Sequence, residues 1–316
     1  MKKIYTLTAL LLLATLTSRG TSWNEPWADS IISRADYFVL ATIKSVGDDK
    51  MTIEITKTLG GEALKNTIEI EEYYLLDLCS YSVPITFKEF IDKDQTAYFF
   101  LKKNEKGQYC IATPSTGYNF LIDGNVYANY RHSYHQALVP QDIYEKTTTA
   151  IFNHYHGLSY DEASIRSFVD ENLSKKPAGF GEDEINTFFL QHVALECVHH
   201  LKLDGFYDKI LPFLWDTLNF HNSVSAARAL VAYNTDDCIR ELLRVIEYPN
   251  FDPFIQVVCI WTLEEFHPTA LKEDLKKVCE GLSETEGEWG GNIMDPRICT
   301  HMASPKNALT KLIAKL

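Results

Sequence analysis

The sequence predicts a multi-domain chain, with an all-β barrel or sandwich in the N-terminal part and an all-α helical repeat in the C-terminal part. Three observations carry this. Apolar residues recur with a period of two from Tyr37 to about Tyr130. The period changes to a helical one near Pro140. From about residue 183 the chain repeats itself at an offset of 32 to 33 residues. The composition, 46% hydrophobic with 17 Phe and 17 Tyr among 316 residues, supplies enough apolar surface to fold, and the length exceeds what a single core usually serves. With 43 acidic against 30 basic side chains the net charge is −13, which excludes a nucleic-acid partner because a phosphate backbone needs a positive footprint.

Residues 1–22 read as a signal peptide. Lys2 and Lys3 precede an apolar run from Leu7 to Leu16, and small residues follow at Ser18, Gly20 and Ser22. A lipoprotein needs a cysteine directly after such a run, and none occurs before Cys79. The expected product is therefore exported to the periplasm or the outside without a lipid anchor. No later segment reaches ~18 consecutive apolar residues, so no transmembrane span is expected.

In the β part, expected over 23–138, Met51, Ile53 and Ile55 alternate with Thr52, Glu54 and Thr56, and Ile68 and Ile70 alternate with Thr67, Glu69 and Glu71. Gly47-Asp48-Asp49, Asn104 to Gly107 and Asp123-Gly124 mark three hairpin turns. Cys79 and Cys110, the two cysteines of this half, are expected to form a disulfide, and the odd total of seven leaves at least one thiol unpaired. Cys259, among Val257, Val258, Ile260 and Trp261, reads as a buried thiol.

Connecting helices and a linker are expected over 139–182. Ser159-Tyr160-Asp161-Glu162 reads as a capping box, and Lys175 to Gly179 as a helix stop and Pro/Gly-rich link. In 183–316 the repeat matches Ala194 with Ala226, Val198 with Leu230, and then Leu230 with Leu263 and Tyr233 with Phe266. Each unit is a helix, a turn and a second helix, too small to bury its own apolar face, so neighbours must stack. Along the helix 185–201, Leu190, Ala194, Cys197, Val198 and Leu201 form the apolar stripe, and His192, Glu196, His199 and His200 the opposite, outward face.

On these residues the helical part resembles HEAT-type repeats. The N-terminal half resembles the netrin-like barrel, an OB-type fold shared with tissue inhibitors of metalloproteinases. The residues concerned are Ala35 to Ala41, Ile55 to Gly61 and Gln95 to Leu101. Those inhibitors chelate zinc through an N-terminal cysteine. The mature end here falls near Thr21-Ser22-Trp23, so the resemblance implies the barrel and not the inhibition.

No phosphate loop, Gly-x-Ser-x-Gly elbow, His-Glu-x-x-His or Cys-x-x-Cys occurs, and no cofactor is expected. His192, Glu196 and His199, spaced i, i+4, i+7, are the candidate metal ligands, with a solvated face as the plainer reading; His154 and His156 are a second histidine pair, read as a helix end. The interruption of the repeat at 286–301 supplies binding candidates Trp289, Asn292, Asp295, Arg297 and His301, set against a capping loop that Cys279 and Cys299 would staple. The expected function is an exported, non-enzymatic protein that binds a protein or peptide. The alternative is a metal-assisted hydrolase using the His192/Glu196/His199 face or the 286–301 loop.

Overall fold

The computed structural model describes residues 22–24, 27–71, 73, 77–80, 91–113, 117–130, 136–285 and 303–316. Its strands are β1 (Ser22–Asn24), β2 (Tyr37–Val46), β3 (Lys50–Gly60), β4 (Thr67–Glu71), β5 (Asp77–Ser80), β6 (Thr96–Lys103), β7 (Tyr109–Ile111), β8 (Tyr118–Ile122), β9 (Asn125–Asn129) and β10 (Gln136–Pro140). The three hairpins form as β2–β3, β6–β7 and β8–β9. At the last of these Asp123 and Gly124 both take positive φ, 50° and 76°, as a tight two-residue turn requires.

Five strands close a barrel in the order β2–β3–β4–β7–β6, with β6 returning to β2. Every pairing is antiparallel except β4 with β7, which run parallel at Ile70 and Tyr109. Strand β6 forks, pairing Leu101 with Ile111 of β7 and Ala97 with Phe120 of β8, so that β8, β9 and β10 extend the sheet beyond the closed part. The interior is filled by Val39, Ala41, Ile43, Met51, Ile53, Ile70, Phe99, Leu101 and Ile111.

The outer faces of β2 and β6 are equally dry. Phe38 stacks on Phe100 at 4.7 Å and on Phe152 at 6.2 Å, and Tyr98 lies 4.8 Å from Tyr144. Phe152 and Tyr144 come from helix α2 (Gln141–Tyr155), which crosses the barrel and is tied to it by Glu145. That carboxylate accepts from the Tyr98 hydroxyl at 2.8 Å and pairs with Lys57. Helix α1 (Ala28–Arg34) packs beside α2, with Ile31 and Ile32 buried. Gly60 permits the close approach of α2, because a Cβ there would stand 2.4 Å from the Phe152 ring.

The remaining helices are α3 (Glu162–Leu173), α4 (Ile185–Leu201), α5 (Tyr207–Leu214), α6 (Phe220–Ala229), α7 (Asp236–Glu247), α8 (Pro253–Phe266), α9 (Lys272–Gly281) and α10 (Pro305–Lys315). Helices α4, α6, α8 and α10 pack side by side, while α5, α7 and α9 each lie against the next member of that row. One apolar core runs from the outer face of β2 and β6 through α1, α2 and α4 to Leu312 of α10. Among the described residues no helix is long and apolar enough to cross a membrane.

Three sequence expectations, two disulfides and one helix cap, are corrected. The Cys79–Cys110 disulfide is absent, and the topology gives the reason: Cys79 is on β5, in a two-stranded sheet with β1, whereas Cys110 is a thiol on β7 of the barrel, 3.6 Å from the Lys102 carbonyl. Cys279 is likewise a thiol, its Sγ 3.7 Å from the Lys306 carbonyl, and Cys299 lies outside the described residues. Helix α3 is capped by Asp161 rather than Ser159, because the Asp161 carboxylate accepts from the Ser164 amide at 3.0 Å while the Ser159 carbonyl accepts from Asn153. The Pro/Gly-rich link is pinned to the helices. Gln191 accepts from the Ala178 amide and donates to the Lys176 carbonyl, both at 2.8 Å, and Asn219 and Asn222 donate to the Ala178 carbonyl.

Candidate ligand-binding cleft

The outward face assigned to α4 points inward. Helices α2, α3 and α6 and strand β10 surround α4, leaving His192 1%, Glu196 0% and His200 2% exposed. A carboxylate in such a place needs a counter-charge, and α6 brings one. Arg228 donates from Nη1 to Glu196 Oε2 at 2.6 Å, and one turn earlier Ser225 donates to Oε1 at 3.4 Å while lying 2.8 Å from His192 Nδ1. His200 Nε2 lies 3.6 Å from the same carboxylate, and its Nδ1 meets the Tyr155 hydroxyl at 3.0 Å. His199 turns away from the cluster and donates from Nδ1 to the Arg228 carbonyl at 3.0 Å. Burial, reinforced by the Arg228 charge, holds both His199 and His200 well below the ordinary histidine value.

Of the candidate metal ligands, His192 and Glu196 are thus engaged in an internal polar network and His199 bonds a backbone carbonyl instead, and among the described residues no group of three ligating side chains is placed to hold an ion. Both ring nitrogens of His156 lie 2.7 Å from backbone carbonyls, those of Phe152 and Ala35, which leaves neither for a metal. Trp289, Asn292, Asp295, Arg297 and His301 lie outside the described residues.

Beside the network the structure opens a cleft of about 260 Å³ between α1, α2, α4, α6 and α8. Three aromatic side chains line it. Trp27, at the start of α1, meets Trp261 of α8 edge to face at 6.0 Å, and Tyr155 ends α2. The Arg228 guanidinium lies 4.8 Å over the Trp27 ring, so the cation that neutralises Glu196 also lines the cleft. Lys202 closes α4 in the left-handed conformation, φ 53°. Burial lowers its ammonium pKa, against the raising effect of Glu265. Asp29 of α1 and Glu265 of α8 are the acidic members of the lining. Asp29 Oδ1 is fully covered and meets no hydrogen-bond donor among the described residues. The Thr262 hydroxyl, also in the lining, donates to the Ala227 carbonyl at 2.9 Å.

Two other concavities are poorer candidates. A void of about 10 Å³ near Tyr130 and Thr148 holds at most a water. An open groove of about 530 Å³ has its arginine, Arg166, already bridging Glu162 and Asp204.

Comparison of the chain with protein-family models, with curated proteins and with solved structures finds no match in any of the three.

Sequence reasoning missed the cleft because Trp27, Arg228 and Trp261 lie far apart in the chain. The repeat did contain a signal. An offset of 32 carries Glu196 onto Arg228, and 33 carries Arg228 onto Trp261, so one position of three stacked helices bears an acid, a base and an aromatic ring.

Proposed function

We propose that this chain is an exported, non-enzymatic binding protein for a peptide or protein, and that it recognises its partner at the cleft between α1, α4, α6 and α8. The carrying observation is the lining: three aromatic side chains with charged groups of both signs around about 260 Å³. Sites of this kind hold a ligand by apolar contact and orient it by a few placed polar groups. The barrel supports an OB-type reading, since five strands close with one parallel pair among antiparallel ones. The row α4, α6, α8, α10 supports the HEAT-like reading, in which stacked helix pairs present a continuous face. Residues 1–22 act as the export signal on this reading.

The test uses the leaderless chain, immobilised and exposed to the envelope and extracellular fractions of the producing cell, beside Trp261→Ala. Trp261 is 36% exposed, so its removal leaves the core closed. A partner retained by the parent chain and bound about thirtyfold more weakly by the variant, the effect of truncating an aromatic anchor, supports the proposal. Equal retention by both overturns the assignment of the cleft.

A further inference from the structure

We propose that the group seated in the cleft is a small zwitterion of amino-acid size, carrying a carboxylate and an ammonium together. This rests on the binding reading above and names the chemistry of what is bound.

The lining offers both signs of charge in an unfinished state. The Lys202 ammonium makes no ion pair or hydrogen bond among the described residues, its backbone N–H alone being engaged at the helix cap, and only one of the five N–H donors of Arg228 goes to Glu196. These two are donors for a carboxylate. The same lining holds acceptors for an ammonium: Asp29, with its covered and undonated Oδ1, and the exposed Glu265. The four charges belong to one site, since the Lys202 ammonium feels both Asp29 and Glu265 as well as Arg228.

Simpler ligands fit worse. A dianion such as phosphate would face two carboxylates, and a metal ion or a simple amine would face Lys202 and Arg228. An uncharged apolar ligand would leave the covered Asp29 Oδ1 without a donor, the arrangement buried polar groups avoid. A ligand with both charges completes both sets at once, and the tryptophan rings favour its cationic end. Size narrows the choice. About 260 Å³ lies just under the ~300 Å³ at which pockets for drug-sized molecules begin, which leaves space for one amino-acid residue. That residue is either a free amino acid or a chain-terminal residue whose side chain carries the charge opposite to its terminus, such as a C-terminal lysine.

Isothermal titration of the purified leaderless chain with the common free amino acids, at low salt, tests this. For any that binds, the N-acetyl form, the amide form and a dipeptide follow. The expected result is binding of a doubly charged species that weakens about tenfold or more when either charge is blocked, and likewise in Lys202→Met and in Asp29→Asn. Lys202 caps a helix end as an exposed residue with a partly covered ammonium, and Asp29→Asn is nearly isosteric, so circular dichroism of both variants is expected to match the parent. Binding of the free amino acid identifies a metabolite ligand, and preference for the dipeptide identifies a chain end; either supports the proposal. Equal binding of blocked forms, or no response from the amino acids and dipeptides, overturns it. If Trp261-dependent capture of a partner persists in that case, the binding reading stands and only the ligand class falls. If capture is also lost, both fall.

Discussion

The inside of the barrel and the inside of the helix stack are both dry, yet they are built differently. The barrel interior is formed by side chains such as Val39, Ile43, Ile53, Phe99 and Leu101, with no charged side chain in the cluster, and the Tyr73 hydroxyl there donates to the Gly47 carbonyl at 2.8 Å. The stack places a carboxylate, a guanidinium and two imidazoles between α4 and α6 at 0 to 5% exposure. The first design is fixed by shape, and small misfits relax. The second is fixed by charge, and removing one member leaves another stranded. Position in the chain says little about which applies. What decides is whether a neighbouring element can bring the counter-charge.

The largest expected effect comes from Arg228→Ala, which leaves Glu196 buried without its cation and should lower stability by about 3–5 kcal/mol in urea unfolding. Adding Glu196→Gln should recover part of that loss, because an amide is far cheaper to bury than a carboxylate. No recovery in the double variant would erase the distinction between the two cores.

A second difference is pH. His199 and His200 have folded pKa values well below the ordinary 6.5, so at higher pH the rings are neutral in both states and nothing is lost. As pH falls below 6.5 the unfolded chain takes up protons that the folded rings refuse. Stability then drops by about 1.4 kcal/mol per pH unit for each ring until the folded values are reached. Urea unfolding across pH 7 to 5 should show this slope, His200→Gln should roughly halve it, and Phe99→Ala in the barrel should leave it unchanged while lowering stability at every pH.

The seam between the regions gives the smallest effect. Gly60→Ala sets a methyl 2.4 Å from the Phe152 ring and should cost about 1–3 kcal/mol by overpacking. Combining it with Phe152→Leu should relieve part of this. A loss that the second change does not touch would mean that α2 is not seated on Gly60.

The same contrast explains what was legible. Strands β3 and β4 could be read because one face is wet, so Ile53 and Thr52 differ and the alternation shows. In β2 and β6 both faces are covered, by the barrel interior and by α2, so Phe38-Val39-Leu40 and Tyr98-Phe99-Phe100 run together and periodicity loses meaning. Helix α4 misled for the opposite reason. His192, Glu196 and His200 fall on one face at helical spacing, which in an outer helix means solvent; here Arg228 meets them instead. Only the pairing of opposite charges at equivalent repeat positions carried that information. The Cys79–Cys110 expectation failed because two cysteines sharing one half of the chain need not share a sheet. Helix α1 spans only seven residues, too few for a periodic signal, yet it supplies Trp27 and Asp29.

The contact of Trp27 with Trp261 also sets an order of events during synthesis. Trp27 is among the first described residues to leave the ribosome and must wait until Pro253–Phe266 has been made before α8 exists to receive it. The barrel strands can find one another meanwhile, but the seat of α1 is still missing. During synthesis from the N-terminus that helix is therefore undocked at first, and the cleft takes shape only when α8 emerges and settles against both α6 and α10. The cleft is thereby among the last features of the fold to be completed, and a chain that stops short of α8 lacks the Trp261 wall.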